Sequence, residues 1–400
     1  MPDAASRQSG LLTVFLVFLR LGLTSFGGPV AHLGYFHQEF VVRRRWLGER
    51  AYADLVALCQ FLPGPASSQV GMAIGLSRAG YAGALAAWVG FTLPSAVVLI
   101  LFAQGIAQDA GLVPAGVLHG LKVVAVAVVA QAVWGMARNL CPDTPRLGIM
   151  AVAAGLALLA PAAWLQLLVI ALAGGIGLAC LKPGQAAAGE HLAVPLGPRA
   201  GWRWLGLFAL LLLGLPLLAA LSLDPTLLRM DAFFRSGALV FGGGHVVLPL
   251  LQAEVVARGW VGNEAFLAGY GAAQAVPGPL FSFAAFLGAS MQAGPSGWAG
   301  GLLYLAAIFA PAFMLLCGAL PLWERLRRLP RARAAMMGIN AGVVGLLLAA
   351  LYQPVWTSAI LQPRDFALAL VALAALQFCK VPAWLVVLAT AAAGGALQGG

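Results

Sequence analysis

Arg20 lies in "FLRLGLTSFGGPVAHL" (Phe18 to Leu33) and Arg235 in "FFRSGALVFGGGHVVL" (Phe233 to Leu248), each in an apolar run and six residues before Phe-Gly-Gly. A guanidinium at membrane depth costs roughly 2.5–3.5 kcal/mol on insertion scales and usually faces a bundle interior or an aqueous cavity. There its planar fork of donors suits an oxyanion. The alternative for Arg235, nearer the start of its segment, is snorkelling to the interface. The glycines that follow, Gly27 and Gly28 in one stretch and Gly242, Gly243 and Gly244 in the other, weaken any helix. Pro29 adds a break after Gly28. Free N–H groups at the start of the next half-helix attract anions, and a backbone without Cβ lets an oxyanion approach closely. Close helix packing is the other use of such glycines.

Two Pro-Gly-Pro trios, Pro63 to Pro65 and Pro277 to Pro279, are more specific, because prolines around a glycine cannot sit in an unbroken helix. Gly64 and Gly278 are their central residues, and Gln60 and Gln274 precede each trio by three positions. The glutamines offer amide donors to a substrate oxygen, or pack. Glu39 corresponds to Glu254, with Asp54, His32 and His245 near the same motifs. A carboxylate or imidazole there could carry a coupling proton, histidine titrating closest to neutrality. The alternative for Glu39 and Glu254 is a solvated charge pairing with nearby arginines. Lys122, in an apolar run, is a candidate extra cation; its counterpart Asn340 is neutral.

These motifs recur because the chain repeats itself. Seven of sixteen positions are identical between the two stretches quoted first. "WLGERAYADLVALCQFLPGP" (Trp46 to Pro65) pairs with "WVGNEAFLAGYGAAQAVPGP" (Trp260 to Pro279), and "GYAGALAAWVGFTLP" (Gly80 to Pro94) with "GWAGGLLYLAAIFAP" (Gly297 to Pro311). Two related halves with broken helices in corresponding positions point to a transport site between them. We read residues 1–181 as an N-terminal repeat, 182–224 as a linker with a connecting apolar helix, and 225–400 as a C-terminal repeat.

The elements around the motifs belong to a membrane protein. Hydrophobic residues make up 62% of the chain and charged residues 9%, and apolar stretches near the length needed to cross a bilayer recur throughout. The expected fold is all-α: a polytopic transmembrane bundle of two homologous halves, inverted with respect to each other. Each half holds six apolar segments, beginning with Leu11–Leu33 and Tyr52–Ser77 in the first and with Leu227–Leu251 and Ala265–Met291 in the second. A further run spans Trp204 to Leu223. If every segment crosses, there are thirteen crossings. Placing the basic clusters "RRRW" (Arg43 to Trp46) and "ERLRRLPRAR" (Glu324 to Arg333) on one side instead favours Pro-Gly-Pro segments that enter and leave by the same face. The first apolar run, from Leu11, is expected to be an uncleaved span.

The net charge of +10 sits in these short connections, so lipid headgroups rather than nucleic acid are the expected partners. The five cysteines are dispersed and read as small buried hydrophobes. No metal-ligand cluster, nucleotide-binding loop or nucleophile elbow is present in the sequence, so no enzyme activity, metal or cofactor is expected.

"FGGPVAHL" (Phe26 to Leu33), "QFLPGPASSQ" (Gln60 to Gln69), "FGGGHVVLPLL" (Phe241 to Leu251) and "QAVPGPLF" (Gln274 to Phe281) together resemble the chromate ion transporter family in its long two-domain form. The resemblance implies an inner-membrane protein that exports chromate, driven by the proton-motive force, and confers chromate resistance, with sulfate as a competitor of similar shape. Carriage of another tetrahedral oxyanion such as sulfate, or an uncoupled anion channel, are the alternatives. A homodimer is an open expectation. On this reading Arg20→Gln and Arg235→Gln each impair transport while leaving membrane abundance intact.

Overall fold

The computed structural model describes residues 10–26, 28–108, 114–159, 163–182, 192, 194–222, 224–241, 244–323 and 329–398. Among these, every regular element is helical. A helix satisfies every backbone group within its own segment, as an apolar chain needs where water cannot do so.

The first half opens with α1 (Leu11–Thr24), which stops at Ser25. The chain returns alongside as α2 (Gly28–Phe36), continued by a π-helical turn over His37–Arg43. Phe18 of α1 meets Phe36 and Phe40 with ring centroids 5.7 and 5.0 Å apart, which establishes the reversal. Next, α3 (Glu49–Phe61) runs inward to the first Pro-Gly-Pro trio, and the first arm of α4 (Ala66–Gln108) runs out again to the side it came from. Arg78, at the outer end of that arm, places its guanidinium 5.0 Å from the Trp46 ring centroid, near the start of α3. Ala79 and Gly80 depart from helical geometry, so residues 66–78 and 81–108 form a hairpin closed by Gly75 against Gly83. Then come α5 (Ala115–Leu140), α6 (Thr144–Leu159), α7 (Ala163–Cys180) and the connecting α8 (Pro198–Ser222).

The second half repeats the plan. The pair α9 (Pro225–Ala238) and α10 (Val247–Val255) corresponds to α1 and α2; α11 (Asn263–Ala275) and α12 (Phe283–Ala289) flank the second trio. Short 3-10 turns over Gly244–Val246 and Leu280–Ser282 lead into α10 and α12. The series ends with α13 (Gly297–Ala319), α14 (Pro330–Ala350), α15 (Pro363–Gln377) and α16 (Ala383–Gln398).

The halves are inverted. Residues 81–108 of α4 and α13 correspond in sequence, yet they lie antiparallel: Trp88 meets Phe309, Gly301 lies against Ile100, and Gly297 against Gln104. The halves also interlock through small residues, as membrane helices commonly do. Gly177 of α7 lies against Ala334 and Gly338 of α14, and Gly394 of α16 lies against Gly116 and Gly120 of α5.

Among the described residues, five helical stretches are long and apolar enough to cross a membrane: Ala66–Gly105, Ala115–Leu140, Pro198–Ser222, Gly297–Leu322 and Pro330–Ala359. Counting every apolar segment as a crossing is corrected by the contacts. Leu11–Leu33 and Tyr52–Ser77, like Leu227–Leu251 and Ala265–Met291, turn back inside the bundle, the cost of a broken backbone being tolerable where protein surrounds it. The expected same-face entry and exit of the Pro-Gly-Pro segments follows. Five helical passes, the second arm of α4 with α5, the shorter α6 and α7, and α8, lie between the hairpins of the two halves, and an odd number of passes is consistent with their inversion.

Candidate substrate site

Each half sends its broken elements to the middle of the bundle, and there the halves bond to each other reciprocally. The N–H of Gly64 donates to the carbonyl of Val240 at 2.7 Å, and the N–H of Gly278 donates to the carbonyl of Ser25 at 3.0 Å. Ser25 and Val240 correspond in the repeat, as do Gly64 and Gly278. Each Pro-Gly-Pro loop therefore caps the end of the other half's first helix. Positive φ angles of 117° at Gly64 and 108° at Gly278 aim those N–H groups, and only glycine adopts them without strain.

The caps consume carbonyls and leave N–H groups. Four outgoing arms start in the middle: α2 at Gly28, α4 at Ala66, and the 3-10 turns at Gly244 and Leu280 that lead into α10 and α12. The first turn of a helix holds N–H groups without intrahelical partners and carries the positive end of its dipole. The arms of opposite halves are adjacent, since a Cβ built on Gly244 would lie 3.4 Å from Cγ of Pro29. Gly27, Gly242 and Gly243 lie outside the described residues.

Polar side chains line the same region. His32 is buried, with Nδ1 3.4 Å from the Ser67 hydroxyl and its ring edge-on to Phe91. Its Nε2 has no protein partner, and neither do the buried hydroxyls of Ser25, Ser68 and Thr92. Gln69 is fully buried; its Nε2 donates to the carbonyls of Pro63 at 2.9 Å and Ala312 at 3.4 Å, which leaves Oε1 unpartnered. His245 shares a 2.8 Å hydrogen bond between Nδ1 and the Tyr270 hydroxyl. Leaving a buried polar group unpaired costs about 1–3 kcal/mol, so a cluster of such groups is a feature the fold maintains against stability.

Gly28, Gly64, Gly244, Gly278 and His32 thus come together, with His245 beside Gly244. The other candidates lie elsewhere. Arg20 is on the exposed face of α1 and makes no ion pair with a described residue; Gln60 is exposed on α3. Gln274 is half-buried with Nε2 unpartnered. Arg235 is held by carboxylates, Nη2 lying 2.8 Å from Asp231 and 3.2 Å from Glu254. Glu254 also pairs with Arg258 at 3.0 Å. Lys122 pairs with Glu264 at 3.2 Å. Asp54 accepts a 3.1 Å hydrogen bond from Nε1 of Trp323. The polar residues after the first trio, Ser67 to Gln69, and Ser25, Thr92 and Ser95 went unmarked in the sequence. The signal was available: Ser-Ser-Gln follows Pro-Gly-Pro after a single alanine, in the first turn of the next helix.

Glu39 sits in the π-helical turn that continues α2, outside the apolar segments, bound by Arg44 at 2.6 Å and Arg43 at 3.2 Å. Burial raises its pKa, but the two arginines more than offset that and hold the carboxyl below its usual value. A depressed carboxylate stabilises the fold above its unfolded pKa and loses that contribution as pH falls through the folded one. Thermal unfolding in detergent is therefore expected to show a Tm that falls on acidification below the usual carboxylate range. In Glu39→Gln, that pH-dependent drop should be smaller.

The chromate transporter family model matches residues 12–178 and 228–395, one copy on each half. The chain belongs to the chromate transporter family. It is 29% identical to a chromate transport protein of Pseudomonas aeruginosa over 342 residues, covering 84% of this chain and 78% of that one. A chromate transport protein of Cupriavidus metallidurans is 26% identical over 354 residues, covering 85% and 81% of the two chains. An uncharacterized transporter of Methanocaldococcus jannaschii is 25% identical over 347 residues, covering 84% and 83%. No solved structure matches the chain. Family and apolar helices together make it a multi-pass membrane protein of a transport family rather than an enzyme family.

Proposed function

We propose that the protein is a secondary active carrier that moves chromate out of the cytoplasm across the inner membrane and so confers chromate resistance. The proton-motive force drives it. Family membership supports chromate as cargo. The observation that carries the mechanistic reading is the meeting of four outgoing helix starts with buried, unpartnered donors, Ser25, Ser68 and His32. A tetrahedral dianion leaving water needs several convergent donors. Donors that are mostly neutral let it leave again, whereas a dense cluster of fixed cations would trap it.

The basic ends of the first-half hairpins, with Arg43, Arg44, Arg45 and Arg50, face the cytoplasm on this reading. Arg20, exposed on α1, draws the anion toward the middle. The two repeats, residues 1–181 and 225–400, rock about their reciprocal glycine bonds to open the site to each side in turn. An anion leaving a cell that is negative inside moves with the electrical part of the driving force. His32 and His245, with Glu39, Asp54 and Glu254 further out, are the candidates for passing a proton. Lys122 lends at most an outlying charge.

Purified protein in vesicles tests this. With chromate on one side and a proton gradient imposed, accumulation against the chromate gradient is expected, and it should collapse when an ionophore dissipates the proton gradient and membrane potential. Flux that only equilibrates chromate would make the protein a channel. Sulfate accumulated in preference to chromate would make it a carrier of another oxyanion.

A further inference from the structure

The inverted repeat places two equivalent positions around the middle of the bundle, and this chain has filled them differently. Ser68 and Ser282 correspond: each is the third residue after its Pro-Gly-Pro trio. The traversing helices facing them correspond too, with Ser95 in α4 opposite Ala312 in α13 in the repeat. In one half-site the pair is complete, the hydroxyls of Ser282 and Ser95 lying 2.6 Å apart, both residues buried. The Ser95 hydroxyl donates to the Thr92 carbonyl at 2.9 Å, so within the pair it accepts from the Ser282 hydroxyl. In the other half-site the residue that corresponds to Ser95 is alanine, Ala312, packed beside Gly64 and Gln69. The Ser68 hydroxyl, in a residue only 3% exposed, has no partner. The packing follows the same correspondence: a Cβ on Gly278 would meet the Ser95 hydroxyl at 2.9 Å, and one on Gly64 would meet Cβ of Ala312 at 2.9 Å.

A further difference points the same way. Beside Ser68 stands Gln69, whose Nε2 is occupied by the Pro63 and Ala312 carbonyls; its counterpart beside Ser282 is Phe283, fully buried and apolar. One half-site is thus polar with a free donor, and its twin is closed by a hydroxyl pair and backed by an aromatic ring.

We infer that the chain binds one oxyanion, off the pseudo-twofold axis, with the Ser68 hydroxyl as a ligand, and that the Ser95–Ser282 pair closes the equivalent position in the other half. This rests on the proposed carriage of an oxyanion and specifies where the anion sits. A hydroxyl already bonded to another must give up that bond to serve a ligand, whereas Ser68 gives up nothing.

The test is the concentration dependence of chromate flux in vesicles holding the full chain, with membrane abundance measured in parallel. Ser68→Ala is expected to raise the apparent KM roughly tenfold or more, as for the loss of one hydrogen bond to a charged ligand. Ser282→Ala should stay within about twofold of the parent, the closing pair having no ligand to lose. Ala312→Ser removes no group and offers Ser68 a partner, so it should raise KM several-fold. Equal rises for Ser68→Ala and Ser282→Ala, or an unchanged KM in Ala312→Ser, would overturn the inference. Should the carried anion prove to be sulfate, the three variants would keep this order. A parent chain that carries no oxyanion at all would instead overturn the functional reading, and the placement with it.

Discussion

Replacing Gly64 by alanine is expected to abolish transport and lower the amount of folded protein in the membrane. The new methyl group would lie 2.9 Å from Cβ of Ala312 and 3.2 Å from Nε2 of Gln69, and the φ of 117° is one that side chains rarely adopt. Overpacking alone typically costs about 1–3 kcal/mol, and the strained backbone adds to that. Relief by rotating the loop would withdraw the Gly64 N–H from Val240 and uncouple one half from the other. Gly278→Ala carries similar backbone strain and should be damaging but milder. Its methyl group first meets the Ser95 hydroxyl at 2.9 Å, which can rotate away by giving up its bond to Ser282, and then the Phe91 carbonyl oxygen at 3.2 Å. Transport assays and detergent melting of both variants check the order. If Gly64→Ala carries chromate normally, the reciprocal caps do not couple the halves.

Removing Arg235 has the second large effect, and the structure changes its kind. From sequence, Arg20→Gln and Arg235→Gln are expected to behave alike, losing transport with abundance intact. The two arginines occupy unlike surroundings. Arg235 bridges Asp231 on its own helix and Glu254 on the returning helix, with carboxylate side chains only 3% and 7% exposed. Taking one partner from a buried ion pair leaves an uncompensated charge and typically costs about 3–5 kcal/mol. Arg235→Gln should therefore reduce membrane abundance as well as flux. The double variant Arg235→Gln with Asp231→Asn should regain abundance, because Glu254 keeps Arg258 at 3.0 Å. Flux in that double variant decides the role of the guanidinium. Restored flux makes Arg235 a clasp between α9 and α10, and persistent loss makes it a ligand of the anion. Arg20 has Leu16 where Arg235 has Asp231, four residues earlier. For Arg20→Gln the original expectation stands: lower flux, unchanged abundance.

The hydrophobic content, the segment lengths and the duplicated motifs carried the fold class, because a chain in lipid has few options for its backbone. The broken helices were equally legible, since proline and glycine act on the residues next to them. Where each break points was not. Whether Leu11–Leu33 crosses or turns back depends on Phe18 finding Phe36 and Phe40, a contact no local pattern encodes. The partners of Arg235 were similarly out of reach, as Glu254 meets it only once α10 folds back on α9.

Composition, segment length and internal repetition alone determined that this is a two-part helical membrane protein with interrupted spans in matching places, and its motifs carried the family. Those properties are written in neighbouring residues, and neighbours are what a sequence records. Tertiary structure decided which breaks meet, which charges are already neutralised, and that Ser68 rather than Ser282 is left without a partner. Each of those depends on a distance between residues remote along the chain, set by how two inverted copies pack.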